Sequence, residues 1–387
     1  MRTAGLVIVC ALLALAAGLW LGGHPGSLPS GVRDVFVEDD RALRAEVMDT
    51  IEDNFYREID EEQLDEASLK GIVEALDDPY SHYLTPAEAE TFQESVTGEF
   101  EGVGMTVEED RRGLKVLNVF EGSPARGAGI QKGDLILRVD DRSIAGVNSE
   151  VATGRIKGRA GTSVELEVLT PGEDDTRTVR VKRERIEVPV AQSRIVERDG
   201  TKLGVVELFG FSSGAHGLLR REVDELLGEE AEGIVLDLRG NGGGLLSEAV
   251  LVASIFIEDG EIVSVRGRSR PERTEDAEGD AIDADVPVVV LVDGGSASAS
   301  EIVTGALRDR GRATVVGTRT FGKGLVQELE PLSNGGVLDL TVANYYLPSG
   351  KTIGRNGIPP QVRAEDDPDT RRDEALPVAL DALLDRR

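Results

Sequence analysis

A short apolar run, Val286–Val292, constrains the fold of this chain more than any other stretch. The run is rich in β-branched residues and is bounded by Asp293 and two glycines, which is typical of a strand buried on both faces. The residues from Gly294 to Ser300 are all small, and apolar positions in Glu301–Leu307 recur with helical spacing. Such a tight strand-to-helix turn lets the main chain approach a ligand closely and directs its N–H groups at an anionic oxygen.

The same order of elements occurs upstream of this run. Predicted strands at Leu203–Leu208 and Gly233–Leu238 alternate with predicted helices at Gly214–Leu227 and Leu245–Phe256. An order of strand, helix, strand and helix is typical of an α/β core. We therefore predict a multidomain chain of α/β and α+β class, with its α/β core at residues 187–362.

The small-residue turn carries three serines, Ser296, Ser298 and Ser300, and Lys323 follows downstream between two glycines. A lysine can accept a proton from a serine hydroxyl when burial or nearby positive charge lowers its pKa from about 10.4. Gln327 comes four residues after the lysine and could fix its amine without adding a negative charge. The competing interpretation is a serine-rich helix cap beside a solvated lysine.

The sequences SASASE and TFGKG, with the glutamine after them, resemble the signature of the carboxyl-terminal processing peptidases, also called tail-specific proteases. Ser298 lies 25 residues before Lys323, which is the separation in that family. The resemblance implies a crotonase/ClpP-like serine protease core in which Ser298 is the nucleophile, Lys323 the general base and Gln327 the residue that orients the lysine. Ser296 and Ser300 are then turn or cap residues.

A second glycine-rich turn, Gly240–Gly244, follows the predicted strand that ends at Leu238. With the Asp, Leu and Arg before it, this turn resembles the family element DLR-x-N-x-GG, which completes the oxyanion hole. The resemblance implies the N–H groups of Gly243 and Ala299 as the two donors, with Gly242 or Gly244 as alternatives to Gly243. A phosphate loop is disfavoured, because the lysine and hydroxyl residue of a P-loop do not follow the last glycine.

Residues 98–186 form a second predicted unit of strands and short helices. Its glycine-containing stretch includes four residues that can approach a ligand with their main chain: Gly102, Val103, Gly104 and Met105. The order of elements resembles a PDZ domain, in which this stretch is the loop that binds a terminal carboxylate. The alternative is that these glycines serve turns alone.

The N-terminal region is predicted to be an anchor followed by helices. Ala4–Leu21 is an uncharged, mostly apolar segment just long enough to span a bilayer, and Arg2 places its start in the cytoplasm. A cleaved signal peptide is the alternative, since Ala14–Ala16 fits a cleavage site. We therefore divide this region into an anchor or signal segment at 1–22 and a spacer with a helical region at 23–97.

Within the helical region, the element Asp78–Ser81 resembles the family's DPYS element, and Thr85 with Glu88 forms a predicted capping box. His82 is interpreted as part of a turn packed on the core. Arg266–Asp285 is charged and poor in apolar residues, which predicts an exposed flap or loop without an assigned role. An acidic tail with a short helix is predicted at 363–387.

The net charge of −29 argues against a nucleic-acid partner. No cluster of His, Cys and acidic residues shows the spacing of metal ligands, and we predict neither a metal nor a cofactor. The resemblance implies a single-pass membrane protein with an extracytoplasmic catalytic part, or a secreted one. Such a protein would bind protein or peptide substrates by their free C-terminal tail and cut them near that tail. Whether it forms a homodimer is left open.

Two other functions stay open. A membrane-tethered PDZ scaffold would bind tails without cutting them. A Ser-His-Asp protease would need a histidine, and the candidates are His24, His82 and His216.

Overall fold

The computed structural model describes residues 39–173, 175–269, 271–367, 370 and 372–386. Residue contacts divide the chain into two units, 1–77 and 78–387. The spacer and helical region predicted at 23–97 extends across this boundary. Residues 82–84, just beyond the boundary, pair with a strand near the C-terminal end of the second unit. The predicted segment Ala4–Leu21 lies outside the described residues, and none of the described helices is long and apolar enough to cross a membrane.

The first unit consists of two helices, α1 (Asp39–Asn54) and α2 (Glu61–Glu74). Asp60 caps α2, because its carboxylate accepts a hydrogen bond from the Glu62 N–H at 3.0 Å. Leu43, Val47 and Ile72 remain exposed although their spacing is that of an apolar helix face. The helical pattern predicted here is confirmed.

The second unit begins with strand β1 (His82–Leu84) and helix α3 (Pro86–Thr97). The predicted capping box is present: Thr85 Oγ1 accepts from the Glu88 N–H at 3.3 Å, and the Glu88 carboxylate accepts from the Thr85 N–H at 2.8 Å. Gly98 ends the helix in the left-handed region, with φ of 69°. Tyr83 is buried as predicted for this turn, whereas His82 is exposed.

The predicted PDZ unit contains eight strands and two short helices. Their bounds are β2 (Glu99–Gly102), β3 (Met105–Asp110), β4 (Gly113–Val119), α4 (Pro124–Gly127), β5 (Leu135–Val139), β6 (Arg142–Ser143), α5 (Ser149–Ile156), β7 (Ser163–Leu169), β8 (Arg177–Lys182) and β9 (Glu184–Glu187). The main sheet has the order β3-β4-β5-β7-β8, with β6 on β5, and β2 pairs separately with β9. An apolar core of its own fills the space between the sheet and α5. Arg183 is buried and donates to the Arg155 and Ile156 carbonyls, which fixes the end of α5.

The elements of the α/β core follow, and the helices bury the faces of one sheet. Their bounds are β10 (Ala191–Arg198), β11 (Thr201–Leu208), α6 (Ala215–Gly228), β12 (Ile234–Asp237), α7 (Leu246–Ser254), β13 (Glu261–Gly267), β14 (Arg273–Asp276), β15 (Val288–Val292), α8 (Ala299–Asp309), β16 (Ala313–Gly317), β17 (Leu325–Pro331), β18 (Val337–Tyr346), β19 (Val362–Arg363) and α9 (Ala375–Leu384).

The central sheet has the order β10-β11-β12-β15-β16-β19, in which all neighbours are parallel except β10 and β11. Residues of α6, α7 and α8 cover one face and residues of α9 cover the other. Every residue of β12 and β15 is buried, as predicted for strands covered on both faces. The carboxyl end of β15 leads directly into the small-residue turn and α8.

A second sheet of five antiparallel strands, β1-β18-β13-β14 with β17 on β18, lies within the same unit. The prediction of an exposed loop at Arg266–Asp285 needs correction, because Arg273–Asp276 pairs with β13 as an edge strand and Ile282 is buried. Main-chain hydrogen bonds stabilise this strand although its side chains are charged.

Candidate active site

Ser298 occupies the N-cap position of α8 with φ of 53° and ψ of −112°. A non-glycine residue at positive φ is uncommon and strained, and such strain often marks a functional turn. Ser298 is half-buried and lines a cavity of about 1040 Å³. The turn therefore presents this serine to a cavity at the amino end of a helix.

The two neighbouring serines have structural roles instead. The Ser296 hydroxyl donates to the Leu238 carbonyl at 2.8 Å, and the Ser300 hydroxyl donates to the Asn241 carbonyl at 2.8 Å. Both serines are fully buried. Their hydroxyls join the small-residue turn to the glycine-rich turn, and Ser298 is the serine of the three that lines the cavity.

Gly243 of the glycine-rich turn packs directly against the serine turn. A Cβ atom on Gly243 would lie 2.9 Å from the Ser298 Cβ and 3.0 Å from the Ala299 nitrogen, so a side chain does not fit there. The Gly243 N–H, however, donates to the Asn241 side-chain oxygen at 2.9 Å. Within the described residues, the N–H groups of Gly242 and Gly244 make no such bond, and both glycines line the cavity.

An arginine with three carboxylates fixes the start of the glycine-rich turn. Arg239 donates to Asp237 at 2.7 Å and to Asp366 and Asp373 at 2.9 Å each. Burial raises the pKa of Asp237, and the hydrogen bonds and charge of Arg239 oppose that increase. The ion pairs connect the turn to the segment before α9.

Lys323 lies on a turn that requires both of its glycines. A Cβ atom on Gly322 would lie 2.7 Å from the Arg355 main chain, and one on Gly324 would lie 2.8 Å from the Gly354 nitrogen. The Lys323 side chain is half-buried and lines the same cavity as Ser298. Burial lowers the pKa of Lys323, and the negative charges of Asp339 and Asp78 oppose the decrease.

Glu301 joins the serine turn to the lysine turn, a role that the sequence analysis missed. This carboxylate has no solvent exposure. It accepts from the Ser298 N–H at 3.0 Å, from the Lys323 and Gly322 N–H groups at 2.8 Å each, and from the Thr320 hydroxyl at 2.5 Å. The sequence signal was its place as the third helical residue after Ser298, which is the capping-box position.

Gln327 contacts the tyrosine of the DPYS element. Its side-chain nitrogen donates to the Tyr80 carbonyl, and none of the hydrogen bonds among the described residues joins it to Lys323. The centroid of the Tyr80 ring lies 5.0 Å from Lys323 Nζ, close enough for a cation–π contact. Gln327 thus holds the residue that covers the lysine, and its predicted direct bond to the amine is not made in this structure.

The turn around Tyr80 is itself held in place by hydrogen bonds. The Ser81 hydroxyl donates to Asp78 at 2.6 Å and accepts from the Thr341 N–H at 3.1 Å. Burial acts to raise the pKa of Asp78, but the hydrogen bond from Ser81 is among the contacts that hold it below its ordinary value. Residues 78–81 therefore form part of the site; their match to the DPYS element had marked the segment but not its place beside Lys323.

The cavity has an apolar wall and charged residues near it. The apolar lining includes Phe92, Phe209, Leu246, Val250 and Val326. Arg273 and Glu275 of β14 also line it, so the segment predicted as a loop without a role contributes to the cavity. A chain segment with apolar side chains can occupy such a cavity beside Ser298.

The described histidines do not form a triad with Ser298. His216 Nδ1 lies 2.8 Å from the Glu248 carboxylate, which also accepts from the Gly214 and His216 N–H groups at the start of α6. His82 is exposed on β1, and His24 lies outside the described residues. The contact of His216 is a helix cap, which disfavours a Ser-His-Asp mechanism.

We expect His216→Ala to retain its kcat/KM for protein substrates within about threefold, because His216 does not line the cavity that holds Ser298. The measurement is cleavage of an unstructured protein at several substrate concentrations. A loss of a hundredfold or more, with an unchanged melting temperature, would restore the histidine-dependent alternative.

The predicted carboxylate-binding loop joins β2 to β3. Gly104 has φ of 81°, and a Cβ atom there would lie 2.4 Å from the Ser123 Cβ, so the loop requires glycine at this position. Val103 is buried and its carbonyl accepts from the Ala125 N–H at 2.8 Å. Among the described strands, β3 is an edge strand that pairs with β4.

A serine at a strained helix N-terminus, a half-buried lysine and a PDZ-like sheet together define a serine-type peptidase with a PDZ domain. Family comparisons agree with this class: the model of Peptidase family S41 matches residues 202–364, the PDZ domain model matches 102–182, and the model of the activating protease CtpB N-terminal domain matches 41–89.

Known proteins make the assignment more specific. The chain is 33% identical over 362 residues to carboxy-terminal processing protease CtpA of Bacillus subtilis, covering 93% of this chain and 76% of that protein. It is 38% identical over 312 residues to the carboxy-terminal-processing protease of Bartonella bacilliformis, covering 79% and 70%. The photosystem II D1 C-terminal processing protease matches with a TM-score of 0.50 and 28% identity, covering 90% of this chain and 97% of that one. The chain belongs to Peptidase family S41 and is a serine-type C-terminal processing peptidase.

Proposed function

We propose that Ser298 and Lys323 form the catalytic dyad of this peptidase. The main support is that Ser298 and Lys323 line one cavity, while the Glu301 carboxylate accepts hydrogen bonds from the main chain of both turns. Ser298 Oγ attacks the scissile carbonyl carbon as its proton passes to Lys323 Nζ. The lysine then gives the proton to the leaving amine, and a water molecule, deprotonated by Lys323, releases the acyl group from the serine.

The Ala299 N–H at the start of α8 is the proposed first donor to the oxyanion. Gly243 lies closest to the serine turn, but its N–H must leave the Asn241 side chain before it can serve as the second donor. Gly242 and Gly244 are the alternatives. Gln327 acts through Tyr80, whose ring limits where the Lys323 amine can lie.

The PDZ domain is proposed to bind the free C-terminal tail of a substrate. An extended tail can add to the edge of β3, while the main chain of Gly102–Met105 receives its carboxylate. The substrate is then cut upstream of the bound tail in the cavity beside Ser298.

The location of the enzyme is also a proposal. Ala4–Leu21 would anchor the chain in a membrane, with residues from 33 onward on the extracytoplasmic side, or would direct secretion. The exposed apolar residues of α1 and α2 are compatible with a homodimer.

The test uses the full chain in detergent with an unstructured protein that has an apolar C-terminus. Wild type should cut it, Ser298→Ala should not, and Ser247→Ala is the matched control because Ser247 lines the same cavity. Replacing the substrate's last residues with charged ones should slow cleavage at low substrate concentration. Cleavage that persists in Ser298→Ala would disprove that Ser298 is the nucleophile. Cleavage at the same rate after the substrate's last residues are replaced would disprove recognition of the tail.

A further inference from the structure

Asp339 is a buried carboxylate in the catalytic cavity that the proposed mechanism does not use. It lies on β18 between β1 and β17, where it pairs with His82 on one side and Leu329 on the other. The residue is 8% exposed and lines the cavity together with Lys323. A carboxylate that shares a partly buried cavity with a lysine interacts with the charge of that lysine.

One oxygen of this carboxylate has no hydrogen-bond partner among the described residues. Asp339 Oδ1 is buried and unpaired, and no salt bridge of 4.0 Å or less joins Lys323 to a carboxylate in the part of the chain that the structure describes. A buried carboxylate without partners is costly when ionised. Asp339 is therefore not held by a local hydrogen-bond network that would explain its presence.

The charged and titratable groups around Asp339 come from three elements. Lys323 acts on it from the turn before β17, His82 from β1 and Asp78 from the turn before β1. On β17, the residues of the same face are Gln327 and Leu329, which carry no charge. Burial raises the pKa of Asp339, and the charges of Lys323 and His82 oppose the increase.

We propose that Asp339 is a positioning residue whose buried charge holds a proton on Lys323 and thereby sets the pH above which the peptidase can cut. This inference rests on the proposed role of Lys323 as the general base. The negative charge favours the ammonium form of the lysine, which cannot accept the proton of Ser298. Burial of the lysine acts in the opposite direction, so the balance between the two determines how much neutral amine is present.

The sign of the effect distinguishes this role from a structural one. Asp339→Asn keeps the shape of the side chain and removes its charge, so Lys323 loses its proton at a lower pH. The acid limb of the pH profile of kcat/KM should move down by about one pH unit, and activity on that limb should rise by up to about tenfold. A residue that only supports the fold would lose activity at every pH.

The experiment measures kcat/KM from pH 5 to 10 for full-length wild type and Asp339→Asn. Asp276→Asn is the matched control, because it removes one negative charge from an exposed residue of the same sheet that does not line the cavity. Its acid limb should stay where it is in wild type. Asp339→Thr is a second neutral variant, in case the asparagine protein does not fold.

The inference is overturned if the acid limb stays in place or moves to higher pH in both folded Asp339 variants. If Ser298→Ala and Lys323→Met are inactive in the same assay, the proposed catalytic dyad still stands in that case. Conversely, an active Lys323→Met variant would refute the dyad itself. Competitive acetylation of Lys323, read by mass spectrometry against pH in a Ser298→Ala background, gives a readout independent of cleavage. Asp339→Asn should shift the half-maximal acetylation of Lys323 to lower pH, and an unchanged curve overturns the inference.

Discussion

Lys323→Met should lower kcat/KM for protein cleavage by at least about 10⁴-fold without unfolding the enzyme. Methionine fills the half-buried space of the lysine stem but cannot accept a proton from Ser298. The melting temperature should stay close to that of wild type, because no salt bridge of Lys323 within the described chain is lost. The measurement is single-turnover cleavage at saturating enzyme, which detects residual activity.

Lys323→Arg is the informative control for this substitution. Arginine keeps the positive charge but does not lose its proton in proteins, so it should be as inactive as methionine. An active arginine variant would show that the site needs a cation and not a base. The double variant Ser298→Ala, Lys323→Met should be no slower than the slower single variant, because the two residues act as one unit.

Glu301→Ala should both destabilise the second unit, residues 78–387, and abolish cleavage. The substitution leaves three N–H groups without their acceptor: the buried one of Gly322 and the partly buried ones of Ser298 and Lys323. Unpaired buried groups of this kind cost about 1–3 kcal/mol each, so we expect a loss of about 3–5 kcal/mol in the free energy of unfolding. Urea unfolding followed by circular dichroism measures it.

Glu301→Gln is the control of nearly equal shape. Its one oxygen can still accept from part of the set, but its amide nitrogen would face an N–H group, so we expect a smaller loss of stability and a large loss of kcat. Wild-type stability and activity in Glu301→Ala would mean that the two turns hold their positions without this carboxylate. Loss of stability with normal activity at low temperature would limit Glu301 to a structural role.

Local patterns were sufficient to predict many elements of the fold. The β-branched run at Val288–Val292 became a fully buried strand because a parallel strand covered on both faces needs apolar residues at every position. Thr85 and Glu88 formed their capping box because all of its atoms lie within one turn of helix. The motifs singled out Ser298 and Lys323 as candidates, and the fold brings both to one cavity.

One prediction failed because a distant partner decides the outcome. Arg273–Asp276 has no apolar alternation, yet main-chain bonds to β13 make it a strand. This strand pairing does not depend on a property that can be recognised from the residue types alone.

The sequence by itself determined the α/β class, the serine and lysine turns and the family to which the chain belongs, because these depend on short-range patterns and on residues within one motif. Only the tertiary structure decided what surrounds the Lys323 amine. Tyr80 and Gln327 are 247 positions apart, and Asp339 of β18 lines the same cavity as the lysine. The charge and burial that control a lysine's proton come from such long-range neighbours, and these neighbours are set by strand pairing and not by local sequence.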